Sequence, residues 1–323
     1  MQTTDVLVIG GGPAGSSCAG RLRKHGVDCL VLDRQRFPRL KLCAGWITPE
    51  VVSDLGMDIS EYPHSFLTFE KTVVHFFGMT FKLKSPQHSI RRIEFDHWLL
   101  QRSGAKVVRH NVRHIRKVDG YYVVDDELRA KFLVGAGGTQ CPVYRTLFRE
   151  ANPRVKELQA LALECEFPWD WGDSDCHLWF FNRGLPGYSW YVPKSRGYLN
   201  VGLGAIAHRL KSRKDDIKHH WTPFVDLLKK VFALSDEQIR PGGHSYFLRG
   251  RADINRIGNA FVVGDSAGLA TRDLCEGIGP AIRSGAEAAD SIALGTEFEL
   301  SSIAELSLPK NLMGRYLEWR FCG

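Results

Sequence analysis

The 323-residue chain has no long apolar run; stretches such as Val6 to Ile9 and Ala260 to Val263 are far too short to span a bilayer. It has no basic segment ahead of its first apolar run, so no signal peptide is read and a cytoplasmic protein is expected. None of its eight cysteines forms a C-x-x-C pair, which leaves zinc-ribbon and thioredoxin-type sites unsupported, and no metal site is expected. A cytosolic chain of this size does not need disulfides, so free thiols are expected. No Lys/Arg-rich helix or aromatic RNA-binding motif stands out, so nucleic acid is not an expected partner. Internal repeats, Pro/Ser linkers and low-complexity segments are also missing. Hydrophobic residues at 44% and charged residues at 24% exclude a disordered or collagen-like chain.

What is present is enough chain for about two domains and a large core. The formal charge of +7 suits anionic lipid surfaces or phosphorylated substrates without deciding for either.

The first informative stretch runs Asp5-Val-Leu-Val-Ile-Gly-Gly-Gly-Pro-Ala-Gly. Asp5 to Ile9 reads as a buried parallel strand, and Gly10, Gly12 and Gly15 form G-x-G-x-x-G. A helix to about His25 and a second strand, Asp28 to Asp33, complete a βαβ unit. The glycines permit a tight turn, close approach of a pyrophosphate and close helix–strand packing. The helix N-terminus, entered through Pro13 and Ala14, offers N–H groups and partial positive charge to phosphates. Asp33 ends the second strand, where its carboxylate suits a ribose hydroxyl, and Arg34 follows it. This unit alone fits NAD or FAD. A purely structural glycine turn is the competing account, and the two flanking strands argue against it.

A second strand and glycine turn, Ala260 to Val263 followed by Gly264-Asp265-Ser-Ala-Gly268, leads into Glu276-Gly277-Ile278-Gly279-Pro280 and a helix rich in Ala, Gly and Ser. Pro280 is read at the first helical position. A third strand, near Phe132, runs into Ala136-Gly137-Gly138.

These segments resemble the FAD-dependent p-hydroxybenzoate-hydroxylase-like superfamily, and within it the geranylgeranyl reductase family. The likeness rests on Gly10, Gly12 and Gly15 with Asp33, then Gly264-Asp265, then Glu276-Gly-Ile-Gly, and covers nearly the whole chain. Lys41-Leu-Cys-Ala-Gly resembles the family's K-x-C-G-G segment beside the flavin, with Ala44 in place of a glycine. Arg92-Ile-Glu-Phe-Asp-His-Trp-Leu resembles R-x-x-F-D-x-x-L, whose arginine contacts the cofactor. Pro186-Gly-Tyr-Ser-Trp-Tyr-Val-Pro resembles the prenyl reductase signature P-x-x-Y-x-W-x-F-P, one residue shorter and with Val192 where Phe is usual. The superfamily's G-A-D-G-x-x-S segment is matched at Gly135 to Cys141, with Gly137 where Asp is usual and Cys141 where Ser is usual. Family members are usually longer at the carboxy end than the tail Pro309 to Gly323.

The resemblance implies FAD held by Gly10, Gly12, Pro13, Ala14, Gly15, Asp33, Arg34, Lys41, Cys43, Ala44, Arg92, Val112, Ala136, Gly137, Gly138, Gly264, Asp265, Gly268, Gly277, Ile278 and Gly279. It places Cys43, Tyr188 and Trp190 at the substrate, with the two aromatics shaping a slot. The implied reaction is saturation of isoprenoid carbon–carbon double bonds by hydride from reduced FAD. The start of the helix that Pro280 opens would favour the negative charge of a reduced flavin. Only one G-x-G-x-x-G is present, so electrons are expected from a transient NAD(P)H encounter or from ferredoxin. The expected partner is a hydrophobic prenyl substrate, and peripheral membrane contact is left open.

Taken singly, these residues have plainer accounts. Cys43 would be a small buried hydrophobe. Arg92 would be a surface charge. Tyr188 and Trp190 would be sheet residues. His177 and His244 carry no motif. Two other functions remain: a flavin-dependent monooxygenase or halogenase, although Trp190-Tyr-Val-Pro departs from the halogenase W-x-W-x-I-P, and a non-catalytic flavin or prenyl-lipid binder.

The expected fold is mixed α/β. A Rossmann-like FAD-binding domain has a parallel sheet, a three-stranded antiparallel flank and helices. It is discontinuous, over residues 1–55, 90–150 and 245–323. Residues 56–89 and 151–244 would form a substrate domain built on a mostly antiparallel sheet, with a helical stretch over Lys211 to Phe232.

Overall fold

A computed structural model describes residues 1–235, 239–250, 254–308, 315–317 and 319–320; Cys322 and much of the carboxy tail lie outside the described residues. The strands in chain order are β1 (Gln2–Ile9), β2 (Cys29–Asp33), β3 (Trp46–Ile47), β4 (Leu67–Phe76), β5 (Met79–Ser89), β6 (Lys106–Arg109), β7 (Ile115–Val118), β8 (Tyr121–Val124) and β9 (Leu128–Gly135). They continue with β10 (Gln159–Pro168), β11 (Cys176–Phe180), β12 (Gly187–Lys194), β13 (Tyr198–Ile206), β14 (Gly242–Phe247), β15 (Arg256–Ile257) and β16 (Ala260–Val262). The α-helices are α1 (Pro13–Lys24), α2 (Pro49–Asp54), α3 (Arg92–Arg102), α4 (Ala207–Ser212), α5 (Trp221–Phe232) and α6 (Ile278–Leu294).

Two compact units divide the chain. The first comprises Met1–Arg39, Ile93–Val155 and Tyr246–Pro309, and the second Leu40–Arg92, Lys156–Ser245 and Lys310–Gly323. Residues 40–55 were expected with the first domain. They fall in the second unit because Trp46 and Ile47 pair with Ser89 and His88. Described tail residues do the same, with Tyr316 edge-on to Phe76 and Arg320 over Phe181.

In the first unit the strand order is β15-β16-β9-β1-β2-β6. The ladders β16–β9, β9–β1, β1–β2 and β2–β6 are parallel. Strands β7 and β8 extend β9 as the three-stranded antiparallel flank. The central strand β1 is apolar on both faces, as a covered parallel strand must be. Val6 and Val8 face a core shared with α1 and α6, while Leu7 and Ile9 face one shared with Tyr144, Phe148 and the flank. Helices α1 and α6 approach closely at Gly285, where a Cβ would lie 2.1 Å from the Ala14 carbonyl oxygen. Pro280 occupies the third helical position of α6, not the first. It is still within the first turn, where its missing N–H removes no helical bond.

The second unit holds the sheet β14-β10-β13-β12-β11-β4-β5-β3. Its β10–β13, β13–β12, β12–β11 and β4–β5 ladders are antiparallel, and β11–β4 is parallel. One face, carrying Cys165, Phe167, Val201, Leu203, Tyr191 and Trp179, packs on Phe224, Val225 and Leu228 of α5. The helical stretch expected over Lys211 to Phe232 is broken. Helix α4 ends at Ser212, and a 3-10 turn from Ile217 to His220 enters α5.

Seven described cysteines are free thiols, five of them buried. No helix among the described residues is long and apolar enough to cross a membrane.

Candidate functional site

In the first unit the glycine turns converge at the carboxyl ends of β1, β9 and β16, where open α/β sheets bind ligands. Gly10 has φ +114°, and a Cβ there would sit 2.3 Å from the Ala136 carbonyl oxygen. At Gly15 a Cβ would lie 1.8 Å from the Gly10 carbonyl oxygen. The first turn of α1 is therefore pressed onto the strand ends, and only glycine fits. Gly12 differs, because a Cβ there would meet only the tip of Arg39, at 3.3 Å. Gly12 is also the N-cap of α1, has no side-chain cap and is followed by Pro13. The helix start thus presents N–H groups beside open space and a guanidinium, a setting that suits a diphosphate.

Asp33 accepts from the Gly11 N–H at 2.8 Å and from the Gln35 N–H at 2.8 Å, which fixes its carboxylate at the turn and leaves acceptor capacity for a hydroxyl. Arg34 reaches Gln140 at 3.3 Å, spanning to the turn after Gly137 and Gly138. Gly264 sits against Ala14 and Ala281, and a Cβ on Gly277 would be 3.2 Å from Asp265 Oδ1. Asp265 is thus held at the start of α6, whose N-cap Gly277 has no side-chain cap. Gly268, Ile278 and Gly279 are buried beside it. Val112 is different: its side chain is spent in the core with Leu7 and Leu30, leaving only backbone to meet a ligand.

Two arginines of this unit were not read from the sequence. Arg39 donates to the fully buried Asp96, with N and O 3.2 Å apart. Arg154 stacks on Tyr144, 3.9 Å from its ring centroid, and donates to the Thr139 and Ser266 carbonyls, tying together the turns that follow β9 and β16. Burial and stacking, rather than a motif, hold both. The uncapped helix starts, the space over Gly12 and the fixed Asp33 together fit an FAD diphosphate and ribose.

In the second unit the strand register gathers the other expected residues on one face of the sheet. Glu164 of β10 is opposite Gly202 of β13, and Gly202 is opposite Trp190 of β12. One step along lies Ala162, Gly204 and Tyr188. Gly202 leaves room for the indole, because a Cβ there would be 2.3 Å from Trp190 Cζ2 and 2.6 Å from Glu164 Cβ. The rings of Tyr188 and Trp190 are 5.8 Å apart, and Phe180 extends the aromatic row 5.3 Å from Tyr188.

A polar chain crosses this face. Trp190 Nε1 donates to Asn200 Oδ1 at 2.7 Å, and Asn200 Nδ2 donates to the Cys43 carbonyl at 3.3 Å. Cys43 Sγ accepts from the Gly45 N–H at 3.3 Å. The fully buried Lys194 donates to the Ala44 carbonyl, and burial holds its pKa below that of an exposed lysine. Cys43, Ala44 and Trp190 are thus brought together, with Asn200 and Lys194 as their anchors. Arg92, also buried, and Lys41 act electrostatically on the same cluster. Burial pushes the fully enclosed Glu164 carboxyl up to about 7, against the opposing pull of Lys41 and Lys194. His244 Nδ1 is 3.5 Å from Glu164 Oε1, and its pKa is lowered to about 3 by burial and by Lys41 and Arg92.

Residues 3–52 match the model of an FAD binding domain. The chain is 26% identical over 306 residues to digeranylgeranylglycerophospholipid reductase 2 of Methanosphaera stadtmanae, covering 88% of this chain and 76% of the relative. It is 26% identical over 336 residues to a menaquinone reductase of Mycolicibacterium smegmatis, covering 92% and 78%. Its fold is similar to that of a geranylgeranyl bacteriochlorophyll reductase-like protein from Thermoplasma acidophilum, with TM-score 0.77, 21% identity and coverage of 91% and 79%. A flavin-dependent brominase shares the fold at TM-score 0.73 and 20% identity, covering 99% and 84%. The chain is thus similar over most of its length to reductases of the geranylgeranyl type and shares the fold of FAD-dependent oxidoreductases, with an FAD binding domain matched at its amino-terminal end.

Proposed function

We propose that the protein is a reductase that saturates carbon–carbon double bonds of a prenyl chain. The observation that carries this reading is the second unit's sheet face, where Tyr188, Trp190 and Phe180 line an apolar row opposite Gly202 and Gly204. The small residues of β13 let the Trp190 indole lie over Gly202 and toward Gly204, and with Tyr188 and Phe180 it makes an aromatic wall suited to a methyl-branched prenyl chain. The names of the reductases similar to this chain support the substrate class.

The residues that would hold FAD are Gly10, Gly12 and Gly15 with Arg39 at the diphosphate, Asp33 at the ribose, and Asp265 with the α6 start at the ring system. Bound and reduced, FAD supplies the hydride; the protein positions the alkene and supplies a proton. Cys43 and Ala44 are held in place by Asn200 and Lys194, so that segment is rigid where the substrate end would rest. Electrons arrive from a transiently bound carrier, NAD(P)H or ferredoxin, since the sequence has one dinucleotide motif. A prenyl lipid is membrane-held, and the exposed row Phe77, Met79, Phe81 and Leu83 beside Lys82 and Lys84 is the surface we assign to an anionic bilayer.

The test is anaerobic. Protein loaded with FAD and reduced with dithionite is mixed with prenyl diphosphates and prenylated lipids, and products are read by mass spectrometry. Gain of hydrogen pairs, lost in Y188A or W190A, supports the reading. Bound, reducible FAD with no gain on any prenyl substrate overturns it.

A further inference from the structure

Glu164 does not fit a structural role. Its side chain is fully buried, and among the described residues neither carboxyl oxygen has a hydrogen-bond partner. A buried polar group left this way is destabilising unless it serves something else. His244 Nδ1 lies 3.5 Å from Oε1, and the Asn200 side chain pulls on the carboxyl without meeting full hydrogen-bond geometry. His244 is one-fifth exposed, so the pair runs from solvent to the buried end. That end lies against Trp190 and in the row beside Asn200, the residue that grips Cys43.

The groups around the carboxyl are of both signs. Lys41, Lys194 and Arg92, with the pull of the Asn200 side chain, favour its ionised form, while burial favours the neutral form. Glu166 is already engaged with Arg91, at 2.8 Å. Burial is the larger influence, so the carboxyl is poised between its two states near neutrality.

We propose that Glu164, paired with His244, is the proton store of this site: a neutral carboxyl that gives up its proton when the double bond is saturated and takes one back from solvent through His244. Saturation adds a hydride to one alkene carbon and a proton to the other. The O–H bond of Glu164 breaks as that C–H bond forms, and the carboxylate left behind is met by Lys41, Arg92 and Lys194. The reaction it serves rests on the reading above; the stored proton does not.

Two measurements test this. In infrared difference titration of the FAD-bound protein, a protonated-carboxyl stretch should disappear as pH rises through about 7. It should be missing in E164Q and change its midpoint in H244N, a variant that keeps the carboxyl. Under the anaerobic assay, E164Q should bind and reduce FAD normally but form saturated product on the order of a hundredfold more slowly, with the alkaline fall in rate gone. No titrating band, or E164Q turning over at the wild-type rate with an unchanged pH profile, overturns the proposal. A band that titrates as expected in a protein that saturates no prenyl substrate supports the proton store and overturns the reductase reading.

Discussion

Replacing Glu164 with glutamine should change stability in a way that depends on pH. Free, the carboxyl titrates at 4.5; in the fold it titrates at about 7. Below the lower value it is protonated in both folded and unfolded chains and contributes no pH dependence. Between the two values the folded chain holds a proton that the unfolded chain has released. Raising pH therefore favours unfolding, and stability falls through this window. Above about 7 the group is ionised in both states, and the full shift destabilises the fold by roughly 3 kcal/mol, at about 1.4 kcal/mol per unit. His244, kept neutral down to about 3, lowers stability in the opposite direction, as pH falls below 6.5. It is present in both proteins and drops out of the difference.

The stability of E164Q relative to wild type should thus rise by roughly 3 kcal/mol between about pH 4.5 and about pH 8. Urea unfolding followed by tryptophan fluorescence is the assay, with free energies extrapolated to zero denaturant. Seven of the eight tryptophans belong to the second unit, so the signal reports the part of the chain that holds Glu164. A difference that stays flat across this range would show that the carboxyl is solvated or already ionised in the fold, and the argument from burial would be wrong.

Gly12→Ala should fold, since its Cβ meets only the end of Arg39, yet weaken FAD at least about tenfold by crowding the diphosphate; fluorescence titration would show it, and unchanged affinity counts against the assignment. Gly285→Ala presses a methyl into the Ala14 carbonyl and should lower unfolding free energy by about 1–3 kcal/mol; a neutral result by denaturant melt would mean α1 and α6 are free to separate. Asn200→Leu strands the Trp190 indole N–H and the Cys43 carbonyl, and should destabilise the second unit by about 1–3 kcal/mol while blue-shifting no other tryptophan; calorimetry and fluorescence check it. Charge reversal at Lys82 and Lys84 should abolish sedimentation with anionic vesicles and leave neutral vesicles unaffected, and retention of anionic binding would remove that edge as the lipid surface.

The first unit's turns were legible because their demands are local. A glycine whose Cβ would strike backbone at 1.8 Å, a strand of four buried apolar residues and an acid at the next strand's end all fall within the first 33 residues. The second unit's site was legible only in part. Tyr188 and Trp190 could be read as a signature, but nothing local says that Trp190 leans over Gly202 toward Glu164. That follows from register. Glu164, Gly202 and Trp190 share a row only because β10, β13 and β12 pair as they do, and a slip of one residue would send Glu164 to the α5 face. Asn200 and Cys43 are 157 residues apart, and Lys194 and Ala44 are 150 apart. Glu164 itself sits in the run Leu-Ala-Leu-Glu-Cys-Glu-Phe, where alternation reads an acid as solvent-facing. Its burial is the place where the local pattern fails, and such failures gather where a fold gives up stability for chemistry.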